Sequence, residues 1–215
     1  LWGVAISEVQ GGISHLAEHA VLELDGHARG PASDFMRYLG ASPVGGWLDG
    51  ALARATADGQ AELQLALRLP LDRLEQSTVK GSVQLSGGDL RIRPDVPLLA
   101  GARGRIDFTH QGFHVAGTAR LYGGEAQLDG GSQADGSLRF NATGVATADG
   151  LRRATELGPV SRWAARTEGQ APYRAQIGIA HGYTELLVTS PLTGLAIQLP
   201  APLRKAAEVG GVARA

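Results

Sequence analysis

GQAELQLALRLPL, residues 59–71, is the stretch of sequence that decides the fold. Apolar residues occupy every second position of this stretch, and mostly polar residues lie between them. Because successive side chains of an extended strand point to opposite faces, the apolar side chains all lie on one side. The stretch therefore predicts a β-strand with one apolar face and one wet face. Its apolar positions are Ala61, Leu63, Leu65, Leu67, Leu69 and Leu71.

The same alternation recurs along the chain in shorter runs, at 90–92, 106–108, 138–140, 177–179 and 195–199. Turn-forming residues separate the runs at short intervals, as expected between antiparallel strands. The sequence therefore predicts an all-β meander of antiparallel hairpins, and the absence of βα units excludes a doubly wound nucleotide-binding fold. The predicted turns are Asp58-Gly59, Gly87-Gly88, Gln111-Gly112, Gly123-Gly124, Asp129-Gly130-Gly131 and Asp135-Gly136.

Composition favours the same fold and excludes several classes of function. Glycine accounts for 31 of 215 residues, about twice the usual ~7%. A net charge of −1 gives no basic field to attract nucleic acid, and the lack of cysteine excludes disulfides and thiolate metal sites. The chain starts at Leu1 with no signal sequence and has no apolar run of ~20 residues. We therefore expect a fragment of a longer protein whose membrane anchor lies elsewhere.

Two stretches depart from the alternation and predict short helices. Residues 31–34 offer an N-cap ahead of Phe35, and Gly40 is expected to end that helix. Residues 147–149 offer an N-cap ahead of Leu151, and Gly158 is expected to end the second helix.

Similar sequences follow the two predicted helices. Pro-Val and a Trp three residues after the Val occur at 43–47 and, in a Trp-bearing turn, at 159–163, and Gly-Gln-Ala occurs at 59–61 and 169–171. The order of these motifs predicts approximate internal repeats over 20–130 and 136–205, within a single repetitive domain that covers 1–215.

Two segments of the chain have a distinctive order of turn and strand residues: GPASDFMRYL at 30–39 with ASPV at 41–44, and SPLTGLAIQLPAPL at 190–203 with Lys205 behind it. These segments resemble the YhdP family of AsmA-like, TamB-related proteins. Between them, VKGSVQL at 79–85, LRI at 90–92 and GRIDF at 104–108 are similar to AsmA-like repeats. The resemblance covers most of the chain, and it lies in the order of turns and strands rather than in a catalytic signature.

The resemblance implies an inner-membrane-anchored protein of a Gram-negative envelope whose periplasmic part is a β-sheet folded into an elongated open groove. It implies transport of phospholipid acyl chains between the inner and outer membranes, in outer-membrane biogenesis, with outer-membrane or periplasmic partner proteins. The resemblance supplies no catalytic residues, and we expect neither enzyme activity nor a cofactor.

The predicted strands suit such a groove, since a Leu-rich sheet face is a dry surface whose backbone groups stay paired. The alternative is a structural envelope domain in which the same face packs against a second layer and leaves no lipid conduit. The expected groove-lining residues are Leu63, Leu65, Leu67, Leu69, Leu90, Ile92, Ile106, Phe108, Leu121, Leu138, Phe140, Ile177, Ile179, Leu195 and Ile197.

Enzyme chemistry has weak support in the sequence, so we expect neither a catalytic nor a metal site. His15-Leu16-Ala17-Glu18-His19 matches the H-x-x-E-H spacing of one class of zinc protease, which requires a helix. Here Gly11-Gly12 precede the motif and strand-like alternation follows it, which favours a strand entry. Ser42 and Ser190 precede prolines without a nucleophile elbow and are interpreted as turn residues.

Overall fold

One antiparallel sheet contains most of the chain. The computed structural model describes residues 3–14, 19–41, 54–93, 96–180, 182–198, 206–208 and 213–214. The strands are β1 (Ala5–Ser14), β2 (Val21–Pro31), β3 (Thr56–Ala57), β4 (Gln60–Pro70), β5 (Thr78–Ser86), β6 (Leu90–Arg91), β7 (Ala100–Thr109), β8 (Gly112–Leu121), β9 (Gly124–Ser132), β10 (Leu138–Thr147), β11 (Thr167–Ala180), β12 (Tyr183–Ser190), β13 (Leu195–Ile197) and β14 (Ala213–Arg214). The helices are α1 (Ala32–Ala41), α2 (Ala148–Arg153) and α3 (Pro159–Ala164), with 3-10 turns at Leu74–Gln76 and Thr155–Leu157.

The large sheet follows the order β1-β2-β4-β5-β7-β8-β9-β10-β11-β12-β14, and β13 pairs with the start of β11. The short strands β3 and β6 pair with each other, and Leu90 of β6 also forms an isolated bridge with Leu99. Among the described residues β1 and β14 do not pair with each other, so the sheet is open. The predicted fold, an open antiparallel meander with a few short helices, is confirmed.

The two ends of the strands form two different rims. Short connections join the strands at one rim, at 71–77, 110–111 and 133–137, and we call this the hairpin rim. At the opposite rim α1 follows β2, and α2 and α3 follow β10. We call this second edge the helical rim. A groove formed on one face of the sheet is therefore bounded differently along its two sides.

Small side chains allow the helices to pack closely at the helical rim. Ala32 and Phe35 of α1 are buried together with Ala57 and Ala61. Ala148 of α2 is buried with Ala171 and Leu195 in the same way. No large side chain among the described residues is fully buried, and most of the buried apolar residues are alanines. The three clusters of buried apolar residues lie at this rim.

The second predicted helix is shorter than expected. Thr147 does cap α2, since its Oγ1 accepts a hydrogen bond from the Gly150 N–H at 3.0 Å. The helix ends at Arg153 rather than at Gly158, because the Ala154 N–H is shared between the carbonyls of Gly150 and Leu151 and the chain tightens into a 3-10 turn. The predicted Trp-bearing turn at 159–163 is wrong as well, because Pro159 begins α3, a position that proline favours.

Three other local predictions change in the structure. Asp129-Gly130-Gly131 lies inside β9 and is not a turn. A side chain at Gly130 would collide with Phe140 on β10, so this glycine serves close packing. The run at 90–92 pairs only over Leu90–Arg91, and α1 extends to Ala41, one residue beyond Gly40.

Two parts of the chain each begin with a long strand, continue with a helix and end with further strands, although the second part has a second helix where the first has β3. One contains β2, α1, β3, β4, β5 and β6, and the other contains β10, α2, α3, β11, β12 and β13. Gly59 and Gly169 hold corresponding places, with φ of 85° and 92°. Ala61 and Ala171, two residues later, are both buried against a helix. The division into repeats over 20–130 and 136–205 stays a prediction.

Gly169 and Gly178, both in β11, provide a matched test of this geometry. A Cβ at Gly169 would overlap the carbonyl oxygen of Gly194, and its φ is in the left-handed region. A Cβ at Gly178 would meet nothing within 4 Å. We expect Gly169→Ala to lower the free energy of unfolding by about 2 kcal/mol or more, and Gly178→Ala to change it by less than ~1 kcal/mol. Urea denaturation measures both, and equal stability of the two variants would contradict the close approach of Gly169 to the Gly194 carbonyl.

Candidate functional site: the apolar face of the sheet

One face of the sheet carries an unbroken line of apolar or glycine residues. In this line, each residue is paired directly with one residue on the neighbouring strand. Directly paired residues point to the same side of a sheet, so every residue of the line lies on one face. At about 4.8 Å per strand the line runs for roughly 43 Å from β1 to β12. We call it the apolar row, and it consists of Ile6, Ala28, Leu63, Val83, Ile106, Val115, Gly130, Phe140, Ile177 and Leu186.

The neighbouring position on each of these strands faces the other way and is polar or glycine. This polar row consists of Ser7, His27, Gln64, Ser82, Asp107, His114, Gly131, Arg139, Gly178 and Glu185. The two faces of the sheet therefore differ completely in chemistry at the same level of every strand. Such a sheet keeps one face in water and leaves the other for apolar contacts.

The apolar row is only half-buried along most of its length. Leu63, Val83 and Ile106 have intermediate exposure, and the end members Ile6 and Leu186 are 55% and 58% exposed. A residue that packs against a second layer loses nearly all of its exposure. In the described part of the chain, no such layer covers the middle of this face.

At the helical rim, the same face is covered. Leu121, Ala126, Ala146 and Tyr173 form a buried cluster near this end of strands β8 to β11. Half-buried Leu99, Tyr122 and Leu151 pack against it, together with Ala142 and Ala175. The apolar face is thus closed along the helical rim and open above it.

The structure places most of the predicted lining residues on this face. Strand register assigns to it Leu63, Leu65, Leu67, Leu69, Ile106, Phe108, Leu121, Leu138, Phe140, Ile177 and Ile179. The remaining four lie at the helical rim or follow β6. Leu90 packs against the α1 cluster, Ile92 follows β6, Leu195 is 6% exposed in the α2 cluster, and Ile197 packs beside it. That these side chains contact lipid stays a prediction.

Sequence reasoning missed several members of the apolar row. Val115 shares its strand with Phe113 and stands between His114 and Ala116, so period two could have identified it. Ile6 and Ile13 have opposite parity in the sequence but share a face, because a bulge between Ser7 and Gln10 adds a residue to β1. Local alternation therefore could not have assigned β1.

Several polar and charged side chains on the outer, polar face lie in pairs. Arg29 contacts Glu62, Arg105 Nε lies 2.8 Å from an Asp107 carboxylate oxygen, and His114 Nε2 lies 3.3 Å from Asp129. These pairs are exposed, so each adds little stability. Among the described positions that pair in the large sheet from β1 to β12, no Asp, Glu, Lys or Arg falls on the apolar face.

The candidate metal motif has only one described residue. His19 Nδ1 lies 2.8 Å from Asp72 Oδ2 at the hairpin rim, and the hydrogen bond from His19 lowers the pKa of Asp72. His15 and Glu18 lie outside the described residues, so the expectation of no metal site stays a prediction.

With this geometry established, comparison with known proteins identifies the family. The model of the YhdP protein family matches residues 1–212. The chain belongs to the YhdP family. No curated protein and no solved structure matches it.

Membership of the YhdP family confirms the resemblance inferred from the turns and strands. The YhdP family comprises cell-envelope proteins related to lipid transport. No helix among the described residues is long and apolar enough to cross a membrane.

Paired substitutions test whether the face of this YhdP-family chain is open in solution. Leu186 is 58% exposed in the apolar row, whereas Leu195 is 6% exposed at the helical rim. We expect Leu186→Ser to change the free energy of unfolding by less than ~1 kcal/mol, and Leu195→Ser to lower it by about 2–5 kcal/mol. Urea denaturation at low protein concentration provides both values. A loss at Leu186 as large as that at Leu195 would indicate that a second layer covers the row.

Proposed function

We propose that this YhdP-family chain is a section of a phospholipid conduit, in which acyl chains lie along the apolar row. The observation that supports the proposal is the continuity of this row from Ile6 on β1 to Leu186 on β12, without a charged residue. The row is half-buried along most of its length, so guest hydrocarbon can reach it. Membership of the family agrees with this role.

The energy of lipid transfer explains why such a surface is useful. Each methylene exposed to water costs about 0.8 kcal/mol, so an acyl chain of roughly sixteen carbons costs on the order of 12 kcal/mol. A continuous apolar surface removes most of this cost at every point along the path. A face with isolated apolar patches would leave the full cost at each gap between them.

Conduction requires no bond to be made or broken, so we propose a non-catalytic role. The polar row faces water and keeps the sheet soluble while the apolar row is occupied. We propose that the chain works in the periplasm of a Gram-negative bacterium, as part of a protein anchored in the inner membrane. In that setting the conduit would carry phospholipid between the inner and outer membranes, with partner proteins at either end.

Native mass spectrometry of the chain, expressed in the periplasm of a Gram-negative host, tests the proposal. We expect phospholipid to copurify and to be released by detergent. Extraction and analysis of the lipids would confirm that the added mass is phospholipid. A folded, lipid-free protein that also takes up no fluorescent phospholipid would contradict the proposal and favour a scaffolding role.

Substitutions at two neighbouring residues of β4 distinguish an effect on lipid binding from an effect on folding. Leu65 lies half-buried on the apolar face, between Gly26 and Gly81, and Gln64 lies on the polar face. We expect Leu65→Asp to fold, because its carboxylate reaches water, but to bind fluorescent phospholipid at least about tenfold more weakly. Gln64→Asp adds the same charge to the other face and should bind lipid normally.

Circular dichroism and lipid titration of the two variants measure these outcomes. Unfolding of Leu65→Asp alone would show that the face is a closed core. Equal binding by both variants would show that lipid does not contact this face.

A further inference from the structure

Tyr173 is a polar exception on the apolar face. Register places it on this face of β11, opposite Gly144 of β10, and four residues from Ile177 of the apolar row. At ~3.3 Å per residue, this separation is about 13 Å along the strand. Tyr173 is 7% exposed, and its hydroxyl has no hydrogen-bond partner among the described residues.

An unpartnered buried hydroxyl is costly, and native proteins seldom retain one without a reason. Small residues make room for the Tyr173 ring, because Gly144 and Ala126 occupy the same level on the next two strands. Phenylalanine would fill this space without the hydroxyl. The hydroxyl therefore adds no hydrogen bond within the described part of the protein.

Other hydroxyl groups on this face differ from that of Tyr173. Ser132 Oγ accepts a hydrogen bond from the Phe113 N–H at 3.2 Å, and Ser190 Oγ donates to the Pro172 carbonyl at 2.7 Å. Thr184 is exposed and can bond to water. Among the described side chains, Tyr173 Oη is the buried polar atom without a partner.

The Tyr173 phenol remains a donor at neutral pH. Burial raises the pKa of Tyr173 above its ordinary value, and the neighbouring Tyr122 raises it further. Tyr122 packs against Tyr173 with ring centroids 6.0 Å apart, and burial raises the pKa of Tyr122 to about 12. Both rings therefore keep their protons well above physiological pH.

We propose that the Tyr173 hydroxyl is a lipid anchor that donates a hydrogen bond to an ester carbonyl oxygen of a phospholipid bound on the apolar row. This inference rests on the proposed function. A phosphate would bring an unpaired charge into an apolar cluster, whereas an ester carbonyl is a neutral acceptor attached directly to the acyl chain. The anchor would hold the ester end of the lipid near the helical rim, and the hydrocarbon of the acyl chain would lie on the apolar row.

The anchor requires a path from the apolar row to the hydroxyl. Leu99, Tyr122 and Leu151, which pack against the cluster, are half-buried at the rim. We infer that a rotamer change among these side chains opens the path and leaves the strand ladder intact.

Titration with two lipids tests the anchor. A short-chain diacyl phosphatidylcholine carries the ester carbonyls, and its dialkyl ether analogue lacks them. We expect the unmodified chain to bind the ester lipid about three- to tenfold more tightly than the ether lipid, and Tyr173→Phe to bind both with the weaker affinity. The control Tyr183→Phe alters an 80% exposed ring and should keep the preference.

The outcomes separate this inference from the proposed function. Binding of both lipids with equal affinity, or an ester preference that survives in Tyr173→Phe, would overturn the anchor and leave the conduit intact. Failure of both lipids to bind would overturn both proposals. Without lipid, Tyr173→Phe should melt at the same temperature or higher, and a lower melting temperature would overturn the anchor by revealing an internal partner for the hydroxyl.

Discussion

Strand register is the constraint on which the rest of this structure depends. Side chains alternate between faces with period two, so a slip of one residue would put Gln64 in place of Leu63 and reverse the chemistry of the strand. Because the residues from Ile6 to Leu186 are paired directly from strand to strand, the apolar residues of every strand lie on the same face of the sheet. The bulge in β1 keeps its apolar residues on this face, because the extra residue brings Ile13 to the same side as Ile6. A continuous apolar surface results from many local pairings that agree.

The buried clusters and the uncovered apolar surface lie in different parts of the sheet. The buried clusters lie at the helical rim, where alanines let the helices approach the strand ends. Above this rim the apolar row lacks a covering layer among the described residues, and its largest side chains keep part of their exposure. The rim can therefore hold the fold together without filling the surface that we propose to bind lipid. Tyr173 lies at the boundary between these two regions.

Much of the fold could be predicted from period two and from turn residues, because both are local properties. The pattern around Leu65 identified β4 and its apolar face correctly. The role of Gly130 was misjudged, since its contact with Phe140 comes from a neighbouring strand and not from its own turn propensity. The α3 helix was missed because a 3-10 turn separates it from α2, and the helical conformation begins again only at Pro159. Nothing local marked Tyr173, whose environment is assembled from β8 to β11 and α2.

The order of strands in the sheet also has a consequence for how the chain folds. Each long strand pairs with the long strand that precedes it in the sequence, so no strand waits for a distant segment to be synthesised. Short separations between pairing partners reduce the loop-closure entropy lost before contacts form. A polypeptide delivered from its N-terminus can therefore lengthen the sheet by one strand at a time. Each new edge is covered as soon as the next strand pairs with it, which limits the period when its unpaired backbone could promote aggregation.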